Sequence, residues 1–394
     1  MSPLQHNVRV FRTFIHFLCT LLPASFILIS GCSDDPSELG KGLISPNDGL
    51  ALDTVSVTAV ADTTFLAHIS TADNDLVGIY QDQEVRAVMQ FVGFTSISST
   101  SLVDSAVVIL PTTYKFRDTN GTLSFEVHEM LSSWSQSTFT WDSSNISGKY
   151  SSSPDTTVLM NISSSDTAIR FHIDHLVQKW IQAATASPYG IILVPNGIST
   201  TLVVGSITST TVDTRPRLRV YYRTSLSDTT EDSLTFGTTQ RTYVAYSPQP
   251  IVPGDMFSQA GICYRCRVQF DSLHIPPHAS IARAVVQLSL DASASETNAF
   301  TRDSLVVELL RRNSYPFDSL AFATVCTPTT SNGQTVFQGN ITETVQEWIT
   351  REPNYGLVVR TYGESTILDR FALFGSSASA GLKPRLTITY TVYK

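Results

Sequence analysis

Val177-Gln178-Lys179-Trp180-Ile181 is followed by Tyr189-Gly190-Ile191-Ile192, by Arg215-Pro216-Arg217-Leu218 and by Tyr222. Val345-Gln346-Glu347-Trp348-Ile349 is followed by Tyr355-Gly356-Leu357-Val358, by Lys383-Pro384-Arg385-Leu386 and by Tyr390. The two series are offset by 168 residues at the Trp, 166 at the Tyr and 168 at the Pro. A near-constant offset over three separated blocks marks a duplicated unit.

Each copy predicts one short helix in a β-rich setting. Ile173, Leu176, Val177 and Trp180 fall at i, i+3, i+4 and i+7, and so do Ile341, Thr344, Val345 and Trp348. Asp174 and Thr342 are the expected N-caps. The two Trp rings lie on the apolar face and are expected to plug the cores. Elsewhere the period is two. Asp53 to Val60 alternates polar and apolar, Arg86 to Phe94 carries Ala87, Met89 and Phe91 on one face, and Ser105 to Leu110 reads as a strand buried on both sides. Asp232 to Phe236, Cys266 to Leu273 and Arg283 to Leu288 repeat that order. The closing strands alternate as Leu218, Val220, Tyr222 and Leu386, Ile388, Tyr390. The expected fold is all-β: two β-sandwiches in series, each with one short helix. The polar run Thr224 to Glu231 divides them, giving a first domain at 51–225 and a second at 226–394.

The first 31 residues read as a signal peptide. Arg9 and Arg12 precede the apolar stretch Phe14 to Ile29. The stretch ends in Ile29-Ser30-Gly31-Cys32, which resembles the lipobox of bacterial lipoproteins. The resemblance implies acylation of Cys32, and Ser33 after it is similar to the outer-membrane sorting signal. The polar segment 32–50 reads as a tether off the lipid surface. The expected partner of this end is the membrane, through the lipid anchor.

Composition excludes some partners. Net charge is −8 and charged residues make up only 15% of the chain, so nucleic acid is not an expected partner. Hydrophobic content of 42% is enough for real cores. Cys263, Cys266 and Cys326 remain after the leader and Cys32 are set aside. Cys263 and Cys266 have CxxC spacing without a second pair, which is too few ligands for a zinc ribbon. The reading is one disulfide to Cys326 or three unpaired thiols. Cys266 shares parity with Val268 and Phe270 and is expected to be buried.

The order of blocks resembles the DNRLRE domain family over roughly 80–225 and 255–394. The elements are an apolar strand, then Trp134-Ser135-Gln136-Ser137-Thr138-Phe139-Thr140-Trp141, a helix ending in V-x-x-W, Y-G-[IL]-x-[IL], and a terminal P-x-L strand. In the second copy Arg311 to Phe317 replaces the two-Trp element. The resemblance implies a jelly-roll-like sandwich, related in shape to carbohydrate-binding modules, on secreted or surface proteins. It implies no catalytic residues.

No GxSxG elbow, HExxH helix, Walker loop or GxGxxG turn occurs. His172-Ile173-Asp174-His175 is the densest polar cluster, but the second copy holds Asn340-Ile341-Thr342-Glu343 there, so a helix cap is expected and no metal. No cofactor is expected. The functional expectation is a non-catalytic surface lipoprotein, a binding or adhesion module for polysaccharide. The alternative is a structural envelope lipoprotein that contacts protein partners. A glycan contact would sit near Trp134 and Trp141, with packing of both rings in the first sandwich as the competing reading.

Overall fold

A computed structural model describes residues 50–67, 71, 74–184, 188–197, 202–206, 214–248, 252–276, 279–298, 303–317, 320–331 and 333–393. The leader, Cys32 and the tether up to residue 49 lie outside the described residues. Thr54–Tyr390 forms one compact unit. The other unit comprises the chain ends, where residues 50–53 and 391–393 are strand.

Among the described residues the chain is all-β with three short α-helices. The strands before residue 224 are β1 (Leu50–Leu66), β2 (Asp75–Tyr80), β3 (Gln83–Phe91), β4 (Leu102–Pro111), β5 (Tyr114–Arg117), β6 (Gly121–Glu129), β7 (Thr156–Ile162), β8 (Ala168–His172), β9 (Ile191–Pro195), β10 (Leu202–Ser206) and β11 (Arg217–Arg223). After it come β12 (Asp232–Tyr246), β13 (Asp255–Gln259), β14 (Tyr264–Phe270), β15 (Ser280–Ser289), β16 (Leu305–Leu310), β17 (Leu320–Ser331), β18 (Gln334–Asn340), β19 (Leu357–Thr361), β20 (Arg370–Phe374) and β21 (Arg385–Tyr393). The helices are α1 (Trp141–Ser144), α2 (Asp174–Gln182) and α3 (Thr342–Thr350).

In the second half, eight strands close a barrel in the order β1-β21-β15-β18-β17-β16-β19-β14, with β14 returning to β1. The first half repeats this order as β8-β4-β11-β12-β3-β9-β6-β7. Among the described residues β7 pairs with β6 alone and β8 with β4 alone, so this ring stays open between them.

The leading strands of the two copies are exchanged. β12, which the repeat places at the head of the second copy, pairs with β11 (Val220 opposite Leu234) and with β3 (Tyr243 opposite Ala87). β1 instead fills the same slot in the second barrel, between β14 (Asp62 opposite Val268) and β21. The sequence expectation put β1 with 51–225 and β12 with 226–394; the strand pairing puts each in the opposite sheet. Residues 224–231 are accordingly a hairpin turn between β11 and β12, not a linker. The chain instead changes halves between β1 and β2 and between β12 and β13.

Two interiors hold the halves, one around Phe91, Phe125, Phe171 and Trp180, the other around Phe270, Phe337, Phe371 and Trp348. A third apolar cluster joins them. Leu76, Tyr114, Phe116 and Val203 of the first half meet Ala260, Ile367 and Leu368 of the second across Tyr243. Polar bonds cross the same seam: Asn298 Nδ2 donates to Lys115 O (2.8 Å), Leu368 N to Tyr114 Oη (3.1 Å) and Arg117 Nη1 to Thr297 O (2.8 Å).

The repeated motifs acquire physical reasons. Gly190 and Gly356 sit at φ 93° and 99°, and a Cβ there would lie 2.1 Å from Met89 O and 2.4 Å from Val268 O. No other residue fits so close to the neighbouring strand. The helices form where the period predicts, with Trp180 2% and Trp348 9% exposed. Their N-caps are Ile173 and Ile341, not Asp174 and Thr342. Those two side chains reach sideways and accept the backbone N–H of Ala106 (2.5 Å) and Ala284 (2.9 Å), tying each helix to its neighbouring strand. Gln178 and Gln346 do the same for Val103 and Ile281. β4 also departs from expectation. Ala106, Val108 and Leu110 are buried, but Val107 and Ile109 are half-buried on the outer face, so the strand is not buried on both sides.

Candidate functional site

An aromatic pocket lies where the halves meet. It has a volume of about 190 Å³ and is walled by Phe139 and Trp141 from the first half, Tyr243 and Tyr246 from β12, and Cys263 and Tyr264 from the second. Four chain segments build it, Leu66, Ala67 and Thr71 at and just past the end of β1 being the fourth, and the strand exchange brings them together. β12 passes from the first sheet toward the turn at 261–264. Gly261 holds that turn at φ 72°, with Leu368 too close for any Cβ.

The 131–150 segment crosses the outer face of the first sheet. Thr140 Oγ1 accepts Ser143 N (3.2 Å) and starts α1. Trp141 opens that helix and stacks on Tyr246, with ring centroids 5.2 Å apart and planes 21° apart. The guanidinium of Arg86 lies 4.2 Å from the Trp141 centroid, a cation–π contact. Arg86 is itself held by Glu84 (2.8 Å) and by Ser144 and Asn145. The Tyr246 side chain is 45% exposed, so the stacked pair sits at the pocket mouth.

The structure separates the two expected Trp residues. Trp141 lines the pocket; Trp134 does not. Trp134 packs edge-on against Phe139 (5.7 Å) and donates its indole N–H to Tyr189 O (2.8 Å). Both rings rest on a small outer cluster of Val88, Met130, Ile192 and Val244. Trp134 thus pins the segment that carries Trp141. Tyr246 and Tyr264 escaped the sequence reading, because neither belongs to a repeated block. In the second half the equivalent outer face is covered by Tyr315 and Phe317 packed on Phe65 (6.5 and 5.0 Å).

Burial pushes the Cys263 thiol well above its usual range, and nearby Glu364 adds to it, so the reactive thiolate is suppressed. Cys263, Cys266 and Cys326 are all buried and unpaired, which decides between the two readings for them. Burial also raises the Tyr264 phenol, whose Oη donates to Ser247 O (3.3 Å). Among the described residues no three His, Cys, Asp or Glu side chains gather as a metal ion would need. Of the His172–His175 cluster, His172 Nδ1 lies 3.4 Å from Asp174 Oδ1, the oxygen already bonded to Ala106 N.

A buried ion pair joins strands of the first half. Arg241 Nη1 meets Asp75 Oδ2 at 2.8 Å, with Ser206 Oγ bonded to both.

No protein-family model matches the chain, and no curated protein does. Among solved structures, that of the Macrobrachium rosenbergii nodavirus aligns with 89% of this chain and 92% of its own at 8% identity, with a TM-score of 0.12. A likeness of that size bears on neither fold nor function.

Proposed function

We propose that the protein is a non-catalytic binding or adhesion lipoprotein of the bacterial surface. It is anchored to the outer membrane through Cys32, and it contacts polysaccharide at the junction pocket. The observation that carries the proposal is the half-exposed Trp141–Tyr246 stack at the pocket mouth. A flat aromatic surface suits the apolar face of a sugar ring, and the polar groups beside it, Thr140 and Asp142, suit its hydroxyls. A pocket of this size holds one ring, so the longer ligand would run across the surface. Tandem jelly-roll-like halves of the DNRLRE kind fit this reading. The jelly-roll part of the reading is supported by the strand order, which counted from each leading strand runs 1-8-3-6 on one side and 2-7-4-5 on the other.

Affinity electrophoresis in gels carrying surface polysaccharides tests the proposal. Trp141→Ala and Tyr246→Ala should each lose the retardation shown by the parent, with the fold unchanged by circular dichroism. Equal retardation of parent and both variants would end it. Labelling cells with a palmitate analogue tests the anchor, which Cys32→Ala should abolish.

A further inference from the structure

The polar side chains of the junction pocket are set mostly to accept. Four of those that line it spend their proton on a backbone carbonyl. Ser247 Oγ donates to Pro248 O (3.0 Å), Tyr264 Oη to Ser247 O (3.3 Å), Cys263 Sγ to Gly261 O (3.6 Å) and Thr71 Oγ1 to Tyr243 O. The oxygens of Ser247, Tyr264 and Thr71 keep lone pairs to offer. The rings of Trp141 and Tyr246 add electron-rich faces.

Charge points the same way. Asp142 is exposed and lines the pocket, and its carboxylate has no hydrogen bond or ion pair among the described residues. No Lys, Arg or His lines the pocket among those residues. Arg86 touches Trp141 from outside the lining, and Glu84 at 2.8 Å already matches its charge. A neutral sugar would leave the Asp142 carboxylate without a counter-ion, and an acidic sugar would be repelled by it. A sugar ammonium answers all three features. It donates to lone pairs, pairs with a carboxylate and lies well against an aromatic face.

We propose, resting on the sugar reading of this pocket, that the ring it takes is an amino sugar whose amine is free and protonated, and that Asp142 selects it. Trp141 and Tyr246 hold the ring; Asp142 reads its charge. The net charge of −8 favours the approach of a polysaccharide that carries such amines.

Titration calorimetry of the full-length protein in detergent tests this, with glucosamine trimer and its N-acetylated counterpart as probes. The two share rings and linkage and differ at the amine. The free-amine trimer should bind about fivefold more tightly, the upper end for one exposed ion pair. Asp142→Asn should bring the ratio to one, and Asp142→Glu should restore part of it. Trp141→Ala should lose both trimers. No binding of the free-amine trimer, equal affinities in the parent, or an undiminished ratio in the folded Asp142→Asn variant would each overturn the amino sugar and leave the sugar reading to the gel assay. Undiminished binding of both trimers by Trp141→Ala would overturn the sugar site itself. Choline bound in place of either trimer would show that the pocket takes a bare cation, and would overturn both.

Discussion

Gly339 lies so close to Cys326 that a Cβ on the glycine would come within 2.4 Å of the cysteine Sγ. Gly339 sits opposite Val286 on β15, as Phe171 sits opposite Val108 on β4 in the first half. The paired positions therefore hold the smallest and one of the largest side chains. With glycine there, β17 closes onto β18 and completes the barrel. With Phe171 there, its ring turns inward against Phe125 (5.3 Å), and β7 and β8 stay apart.

Gly339→Ala is expected to destabilise the protein by about 1–3 kcal/mol, the usual cost of forcing a methyl into a packed core. Cys326→Ala should relieve most of that cost in the double variant. Urea unfolding of the four members of the cycle checks it. Additive effects would show that the contact does not govern closure.

The two helix tryptophans should respond differently to loss of the indole nitrogen. Trp180→Phe removes a bond to a carboxylate and should cost about 1.5–3 kcal/mol from that bond, besides lost packing. Trp348→Phe removes a donor that has no partner among the described residues and should cost clearly less. Thermal unfolding of both variants reads the difference, and equal losses would contradict it.

Asp255 gives a pH dependence. Burial first, then Asp291 and Asp62, push its carboxyl from 3.8 to about 6. The folded state therefore holds this proton more tightly than the unfolded chain. Stability should fall as pH rises from about 4 to about 6 and level off above that. Asp255→Asn should be more stable than the parent at pH 7–8, with the advantage shrinking below pH 6. An advantage that stays constant down to pH 4 would show that the carboxyl ionises normally.

Much of the architecture was legible in the chain. The 3.6 period located α2 and α3 and buried Trp180 and Trp348, and the alternation of Cys266, Val268 and Phe270 set their common inward face. The exchange was not legible. β1 and β12 carry the same alternation, and nothing local distinguishes two slots that both barrels offer. The polar turn at 224–231 has the composition of a linker, yet Tyr222 and Asp232 pair on either side of it. The site was only partly legible for the same reason. Trp141 lies in a recognisable block, while Tyr246 and Tyr264 reach it only through pairings between distant segments. The Arg241–Asp75 pair spans 166 residues and leaves no sequence signal.

The most direct measurement concerns the exchanged strands. A protease site placed at Ser227–Asp228, in the β11–β12 turn, allows the folded chain to be cut between the two repeats. Each fragment then carries the leading strand of the other half. The account predicts that the fragments co-elute on gel filtration at the size of the uncut chain and unfold in one transition. Two fragments that separate without denaturant, each keeping its own folded β signal, would contradict it.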